Sequence, residues 1–270
     1  MGTAIAVFHG PFGRAALYRL NKPLAPHAHR EGHLVLLLSG IPATVTVDGT
    51  AYATGPGRAV AINPWQPHDF QPGDVGAGAL FLTLYIAPEW FMTMSRGIDA
   101  LRFGAPHVPL SAGAQAIIER TADRLASGVE RGLADDLSRL MQAAFDASWA
   151  IGRAPFAAPR VRDFRIRNAL ALMHQRLFDA CALDRIARDA GMSRPHFYKL
   201  FRQNLGVTPN MYLNTLRLEA SIDRLVWSHD PVTSIGLDLG FASQASFTRF
   251  FVNNVGIAPS DYRRCALVAT

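Results

Sequence analysis

One passage of text occurs twice near the end of the 270-residue chain, and it restricts the fold more than any other feature. In the first copy Leu183, Ile186, Ala187 and Ala190 space out the inner face of a short helix, and Gly191 offers a left-handed stop. Met192 fills the turn, Ser193 stands as N-cap of a second helix, and Pro195 falls in that helix's tolerant first turn. Phe197, Leu200, Phe201 and Leu205 then face inward, leaving Arg194, Tyr198, Lys199, Arg202 and Gln203 outside. In the second copy Ile235 and Leu239 precede Gly240, Phe241 and Ala242 make the turn, and Ser243 caps a helix with Phe247, Phe250 and Phe251 inside. Gln244, Ala245, Thr248 and Arg249 lie outside. In both copies a serine is followed four residues later by Phe, six later by a cation and eight later by Phe.

A helix-Gly-helix corner alone is common to packed helices. Two copies with matching caps and undersides suit a more demanding task, bracing a second helix so that its polar face enters the major groove of DNA. There Arg, Lys and Gln meet base edges while flanking Arg and Ser contact phosphates. Pro209 to Ser228 reads as one connecting helix with Tyr212, Leu213, Leu216, Ala220 and Leu225 inward. At ~1.5 Å per residue it is about 28 Å long, close to the ~34 Å between major grooves one DNA turn apart. Bending of the duplex takes up the remainder.

Charge agrees with that task. Residues 1–159 hold 12 basic and 12 acidic side chains, whereas residues 160–270 hold 15 and 9, so the whole net charge of +6 lies in the last part. A neutral module joined to a basic one suggests a polyanion binder attached to something else. Genome composition is the plainer account, since 25 of the 27 basic residues are Arg. With 49% hydrophobic and 18% charged residues the chain is not disordered. Its two cysteines, Cys181 and Cys265, form no CxxC pair and cannot frame a disulfide scaffold. No apolar run reaches the ~18 residues of a spanning helix, and Met1–Gly10 has no basic start. The expectation is a cytoplasmic protein without a membrane partner.

The first ~110 residues read as short strands punctuated by Gly and Pro. Leu34–Ser39 is an apolar run, Thr44–Val47 alternates, Asp48-Gly49 is a tight-hairpin turn, and Thr50–Thr54 returns. Ala59–Ile62 and Leu80–Ile86 complete a pattern that points to a sandwich or small barrel. After Gly113 the period becomes helical, with Ala114, Ile117, Ile118, Thr121, Ala122 and Leu125 on one face. Leu137, Leu140, Met141, Ala144, Phe145 and Ser148 mark a second such face. These helices either cover the barrel or pair with another subunit. A Pro/Ala-rich join gives the division: 1–151 front domain, 152–161 linker, 162–270 a second domain expected to be helical throughout.

Residues ~163–264 resemble the DNA-binding domain of AraC/XylS-type transcription regulators over its whole length. The carrying residues are Gly191 to Ser193, Phe197, Lys199, Phe201, Gly206 to Pro209, Tyr212 and Arg217-Leu218. Ile235, Gly240-Phe241, Ser243-Gln244, Phe247, Arg249, Phe251 and Pro259 to Arg263 complete the set. The resemblance implies base-facing positions at Pro195, Tyr198 and Lys199 and at Gln244, Ala245 and Arg249, with Arg202 on phosphate. Arg194 and Ser243 join the expected DNA interface as flanking contacts. Pro195 and Ala245 donate no side-chain hydrogen bond, so reading there relies on methyl or shape contacts. Gly236 stands where the family usually has Ala, a departure expected to loosen that helix by up to ~1 kcal/mol.

The front domain concentrates histidine: six of nine precede the linker. His27 and His29 alternate on an extended chain and share a face; with His33 and His68 they are candidates for an all-nitrogen site holding Zn²⁺, Fe²⁺, Ni²⁺ or Cu²⁺. Their layout is similar to the cupin pattern, with His33 where cupins usually carry Glu and Gly40 as the closing glycine. The second motif keeps His68 but lacks its usual Pro-x-Gly and trailing Asn. Three readings stand side by side: a divalent metal site, a metal-free lining for a small-molecule effector together with Trp65, and purely structural histidines. Cupin-like sensing domains are the usual front half of AraC-type regulators. The whole is therefore expected to be an α+β two-domain, non-enzymatic regulator: a cupin-like jelly-roll barrel with flanking helices, then two helix-turn-helix units. Activation is the commoner mode in that family, with double-stranded DNA, an effector and RNA polymerase as partners. A homodimer through residues 113–150 and a monomer are both open. The rival from another class is a metal-dependent cupin enzyme with a DNA-binding tail.

Overall fold

Alternation along the strands gives the front half two different linings. A computed structural model describes residues 2–94, 101–151, 161–179 and 182–268. The chain begins with β1 (Thr3–Gly10), β2 (Gly13–Leu20), β3 (Leu24–His27), β4 (Gly32–Ser39), β5 (Thr44–Val47) and β6 (Thr50–Ala53). Then come β7 (Arg58–Ile62), β8 (His68–Gln71), β9 (Ala79–Ile86), helix α1 (Pro88–Met94), β10 (His107–Pro109), α2 (Ala112–Ser127) and α3 (Leu133–Ile151). Helices α4 (Phe164–Gln175), α5 (Ala182–Asp189), α6 (Arg194–Leu205), α7 (Pro209–Trp227), α8 (Val232–Asp238) and α9 (Gln244–Val255) follow, then α10 (Pro259–Cys265) and β11 (Ala266–Val268). By contact these form two units, one of residues 1–155 and 255–270, the other of residues 156–254. Among the described residues no helix is long and apolar enough to cross a membrane. All of the expected linker but Val161 lies outside the described residues, as does Cys181.

In the first unit a seven-stranded sheet, β10-β7-β4-β9-β2-β1-β11, and a four-stranded sheet, β3-β8-β5-β6, form the expected barrel. The β5–β6 hairpin turns at Asp48-Gly49, where both residues take positive φ (48° and 81°), the twist that a two-residue loop requires. Leu34, Leu36, Leu82 and Leu84 point away from the barrel interior, while His33, Val35, Thr83 and Tyr85 point into it. The outward set is buried by α2 and α3, through Ala114, Ile118, Leu125, Leu137, Leu140, Met141, Ala144 and Phe145. Of the two roles open to these apolar faces, they cover the sheet. Ser111 caps α2 through the Ala114 N–H, and buried Asp136 on α3 accepts from Arg120 and Arg124, each at 2.8 Å, tying the pair together.

The expectation of helix throughout the last segment fails at its end. Ala266–Val268 form β11, which lies parallel to β1 with Val7 opposite Ala266. Three apolar residues are too short to show a period, and what makes them a strand is an edge that offers unpaired backbone groups. The Tyr262 hydroxyl, on the preceding helix, lies 3.0 Å from His9 Nε2 on β1, and the Cys265 thiol donates to the Ala4 carbonyl at 3.4 Å.

The second unit rests on two aromatic undersides. Phe197 and Phe201 are fully buried with ring centroids 5.5 Å apart, and Phe201 meets Tyr212 of α7 at 5.5 Å. Phe247 and Phe251 repeat the arrangement on α9, with Phe241 5.3 Å from Phe247. Gly191 and Gly240, the two predicted stops, both adopt left-handed φ, 71° and 81°. Leu200, Ala220 and Phe250, expected inside, are half-buried.

Candidate functional site

Two regions carry chemistry, one in each unit. In the second unit α6 and α9 each turn one polar face to solvent. Arg194, Pro195, Lys199 and Arg202 are exposed on α6, and Ser243, Gln244, Ala245 and Arg249 are exposed at the start of and along α9; Tyr198 is half-buried. Among the described residues Lys199, Arg202 and Arg249 have no ion-pair partner. Arg194 does: its guanidinium lies 3.1 Å from Asp184 of α5 and 5.5 Å from the centre of the Tyr198 ring. Both partners of that pair are solvent-exposed, so it is a weak tether that a phosphate can replace.

Local chemistry fixes how these helices start. Ser243 and Ser246 cap α9 reciprocally: the Ser246 N–H donates to Ser243 Oγ at 3.2 Å, and the Ser243 N–H to Ser246 Oγ at 3.1 Å. Ser193 occupies the N-cap position of α6 with extended backbone, yet its side chain makes no capping bond; Pro195, in the first turn, has removed one of the amides such a cap serves. Gln244 is preset, since Thr233 Oγ1 on α8 donates to its Oε1 at 2.8 Å and leaves its amide N–H groups for an outside acceptor. Residue patterns gave no hint of Thr233, because its role depends on a side-chain meeting between two helices. Bracing comes from Arg224, which reaches Asp230 at 2.6 Å and Asp238 at 2.9 Å. Arg217 of the family motif is likewise a strut, donating to the Leu177 and Asp179 carbonyls at 2.9 and 3.0 Å.

In the first unit the four histidines come together inside the barrel, all buried. His27 ends β3 directly opposite His68 on β8, their rings 4.3 Å apart. His29 lies 4.8 Å from His27 and 5.1 Å from His68, and His33 on β4 lies 5.3 Å from His29 and 5.4 Å from His68. One ligand atom from each of His27, His29 and His68 falls within 4.8 Å of the others. Two tautomers are set by backbone: His27 Nδ1 lies 2.7 Å from the Ala25 carbonyl and His68 Nδ1 2.9 Å from the Gln66 carbonyl. A neutral ring donates there and keeps its Nε2 lone pair free. His29 Nε2, His33 Nδ1 and His68 Nε2 are buried with no hydrogen-bond partner. Burial, reinforced by the neighbouring rings, holds His29, His33 and His68 well below the ordinary imidazole value. Burial also lowers His27, against the pull of the Ala25 carbonyl and Asp69.

Beside the rings lies a cavity of about 30 Å³, lined by His27, His33, His68, Asp69, Thr83 and Tyr85 among others, with the His29 ring outside its wall. A buried water needs roughly 10–15 Å³ of such space, so it holds about two waters or an ion. Trp65 is not among its lining residues; its backbone N–H donates to the His29 carbonyl at 2.7 Å from a positive-φ conformation (62°) that a bulky residue rarely adopts. The loop before His68 is held by Gln66, which bonds Asp48 and the Asn63 N–H. Beneath the rings, Arg14 is buried with its guanidinium 3.7 Å from the Tyr85 ring centre and 3.7 Å from Glu31. Burial, the largest influence, works against its charge, and Glu31 with the surrounding phenols more than offsets it. Asp69, Tyr85 and Arg14 went unread in the sequence because cross-strand register, His33 opposite Tyr85, places them here.

Comparisons with known proteins agree with both halves. A family model described as an AraC-like ligand binding domain matches residues 14–144, and one described as a helix-turn-helix domain matches residues 186–265. The probable transcriptional regulator LumQ of Photobacterium leiognathi is 23% identical over 90% of this chain and 94% of its own. An HTH-type transcriptional regulator of Haemophilus influenzae is 32% identical, and the activator RhaS of Escherichia fergusonii 30%, each over 38% of this chain. The chain spans only about a third of the length of those two relatives, 35% and 37%. Among solved structures, ToxT from Vibrio cholerae with a bound unsaturated fatty acid superposes with a TM-score of 0.60 at 13% identity, over 92% of this chain and 94% of ToxT. At that identity the likeness concerns the fold alone.

Proposed function

From its membership of the AraC family of transcription regulators, to which this chain belongs, we propose that it binds specific double-stranded DNA through α6 and α9 and senses a small effector in the barrel. The observation that carries the DNA reading is the exposure of Lys199, Arg202 and Arg249, unpaired among the described residues, on helices whose aromatic undersides are fully buried. Lys199 and Arg249 sit at equivalent places in the two copies and read bases, with Tyr198, Gln244, Pro195 and Ala245 beside them. Arg202, Arg194 and Ser243 hold the backbone. Residues 1–151 serve as effector domain, 152–161 as linker and 162–270 as reader. RhaS carries the name of an activator, and activation through contact with RNA polymerase is the mode we assign here as well.

For the barrel we assign sensing at His27, His29, His33 and His68, with Trp65 fixing the loop beside them. A cavity of about 30 Å³ falls far below the ~300 Å³ at which drug-sized pockets begin. A ligand the size of the fatty acid bound by ToxT would require this space to widen. Sensing requires an effector with different affinities for two states of the protein. Any homodimer through α2 and α3 must use their outer faces, the inner ones being spent on the sheet. Genome-wide footprinting of the full chain tests the DNA reading. Protected sites with two contacted major grooves about 10 base pairs apart are expected; binding without sequence preference overturns it.

A further inference from the structure

We propose that His27, His29 and His68, with His33 beside them, bind one divalent transition-metal ion inside the barrel. This deepens the sensing assignment, on which it depends for its effect on DNA but not for the existence of the site. Three buried imidazole nitrogens, on His29, His33 and His68, have no partner, and a buried polar group left unsatisfied is destabilising. His33 and His68, with His27, line a space of ionic size rather than one filled by side chains, and the His29 ring stands against all three. The backbone carbonyls behind His27 and His68 fix the rings by the outer-shell arrangement that metal-binding histidines use. Ligand atoms now within 4.8 Å of one another need to close to about 3.4 Å, the edge implied by Zn–N bonds of ~2.0–2.1 Å.

Ligand chemistry sets the class of ion. A wholly imidazole set favours Zn²⁺, Cu²⁺, Ni²⁺ or Fe²⁺ over Mg²⁺ and Ca²⁺, which require oxygen. Asp69 lines the same cavity with one buried, unpartnered carboxylate oxygen and supplies counter-charge. Arg14 opposes a dication, but its charge is already engaged by Glu31 and the Tyr85 ring.

The test is equilibrium dialysis of the untagged, full-length chain against Zn²⁺, Ni²⁺ and Cu²⁺ salts, followed by elemental analysis. About one ion per chain is expected. His29→Ala and His68→Ala should each weaken it by more than the ~10–100-fold of an outer-shell loss, and His33→Ala by less. X-ray absorption on the native chain gives a readout that does not depend on the variants folding: three or four imidazole nitrogens at ~2.0–2.1 Å. No retained ion, an oxygen-only shell, or retention unchanged in His29→Ala overturns the proposal and leaves the cavity to water. Operator affinity, measured in parallel, separates the two readings. Stoichiometric metal with unchanged DNA binding upholds the site and removes sensing. DNA binding that answers to another small molecule while no metal is retained removes the site.

Discussion

Gly236 on α8 faces Phe247 on α9 so closely that a methyl group on the glycine would sit 2.8 Å from the Phe247 Cβ. The missing side chain is thus a packing requirement, which corrects its reading as a mere loosening of the helix. Gly236→Ala gains up to ~1 kcal/mol of helix propensity and incurs an overpacking cost of ~1–3 kcal/mol, because the atom it meets is at the root of a buried ring. The net expectation is a loss of about 1 kcal/mol, read as a lower denaturant midpoint. A variant as stable as the native chain would show that Phe247 can yield.

Arg249 and Arg202 should fail differently. Arg249→Ala is expected to weaken the specific site by ~1–3 kcal/mol and relax the preference at one base pair. Arg202→Ala should weaken every sequence and lower the salt slope by about one. Binding titrations on specific and random duplexes at several salt concentrations decide this. Equal losses on both duplexes for Arg249→Ala would remove its reading role.

Thr233 holds Gln244 through a bond that leaves no trace in the sequence pattern. Thr233→Val keeps the shape, so the melting temperature should barely change. Discrimination at the base pair met by Gln244 should fall by up to ~1 kcal/mol, the size of one such hydrogen bond. Selection of binding sites from a randomised pool would reveal it, and an unchanged consensus would show that Gln244 needs no guide.

His9 makes the first unit acid-sensitive. Burial first, and then Arg14, lowers its pKa from 6.5 to about 3. Below pH 6.5 the unfolded chain takes up a proton that the folded ring refuses, so stability is intact above that value. It falls as pH drops toward about 3, with a slope approaching ~1.4 kcal/mol per pH unit from this residue. Urea unfolding between pH 7.5 and 4.5 should show a shallower slope for His9→Gln than for the native protein. Superimposed slopes would clear His9 of the effect.

Sequence legibility followed the range of the interactions. The hairpin at Asp48-Gly49, the stops at Gly191 and Gly240 and the buried phenylalanines of α6 and α9 were all readable, because local backbone chemistry or a single helical period dictates them. The histidine grouping was readable in outline, since alternation places His27 and His29 on one side. Trp65 meets the site through its backbone bond to His29 rather than as a lining residue of the cavity, and Asp69, Tyr85 and Thr233 entered only through contacts between separate elements. Strand β11 escaped because its cause is the neighbouring edge of β1 rather than its own three residues.

That tail strand has a protective consequence. A chain cut after Cys265 would leave the outer rungs of β1 bare beside the exposed Ile5, an invitation to stack with its siblings. Such shortened molecules should clump on warming well before their centres melt.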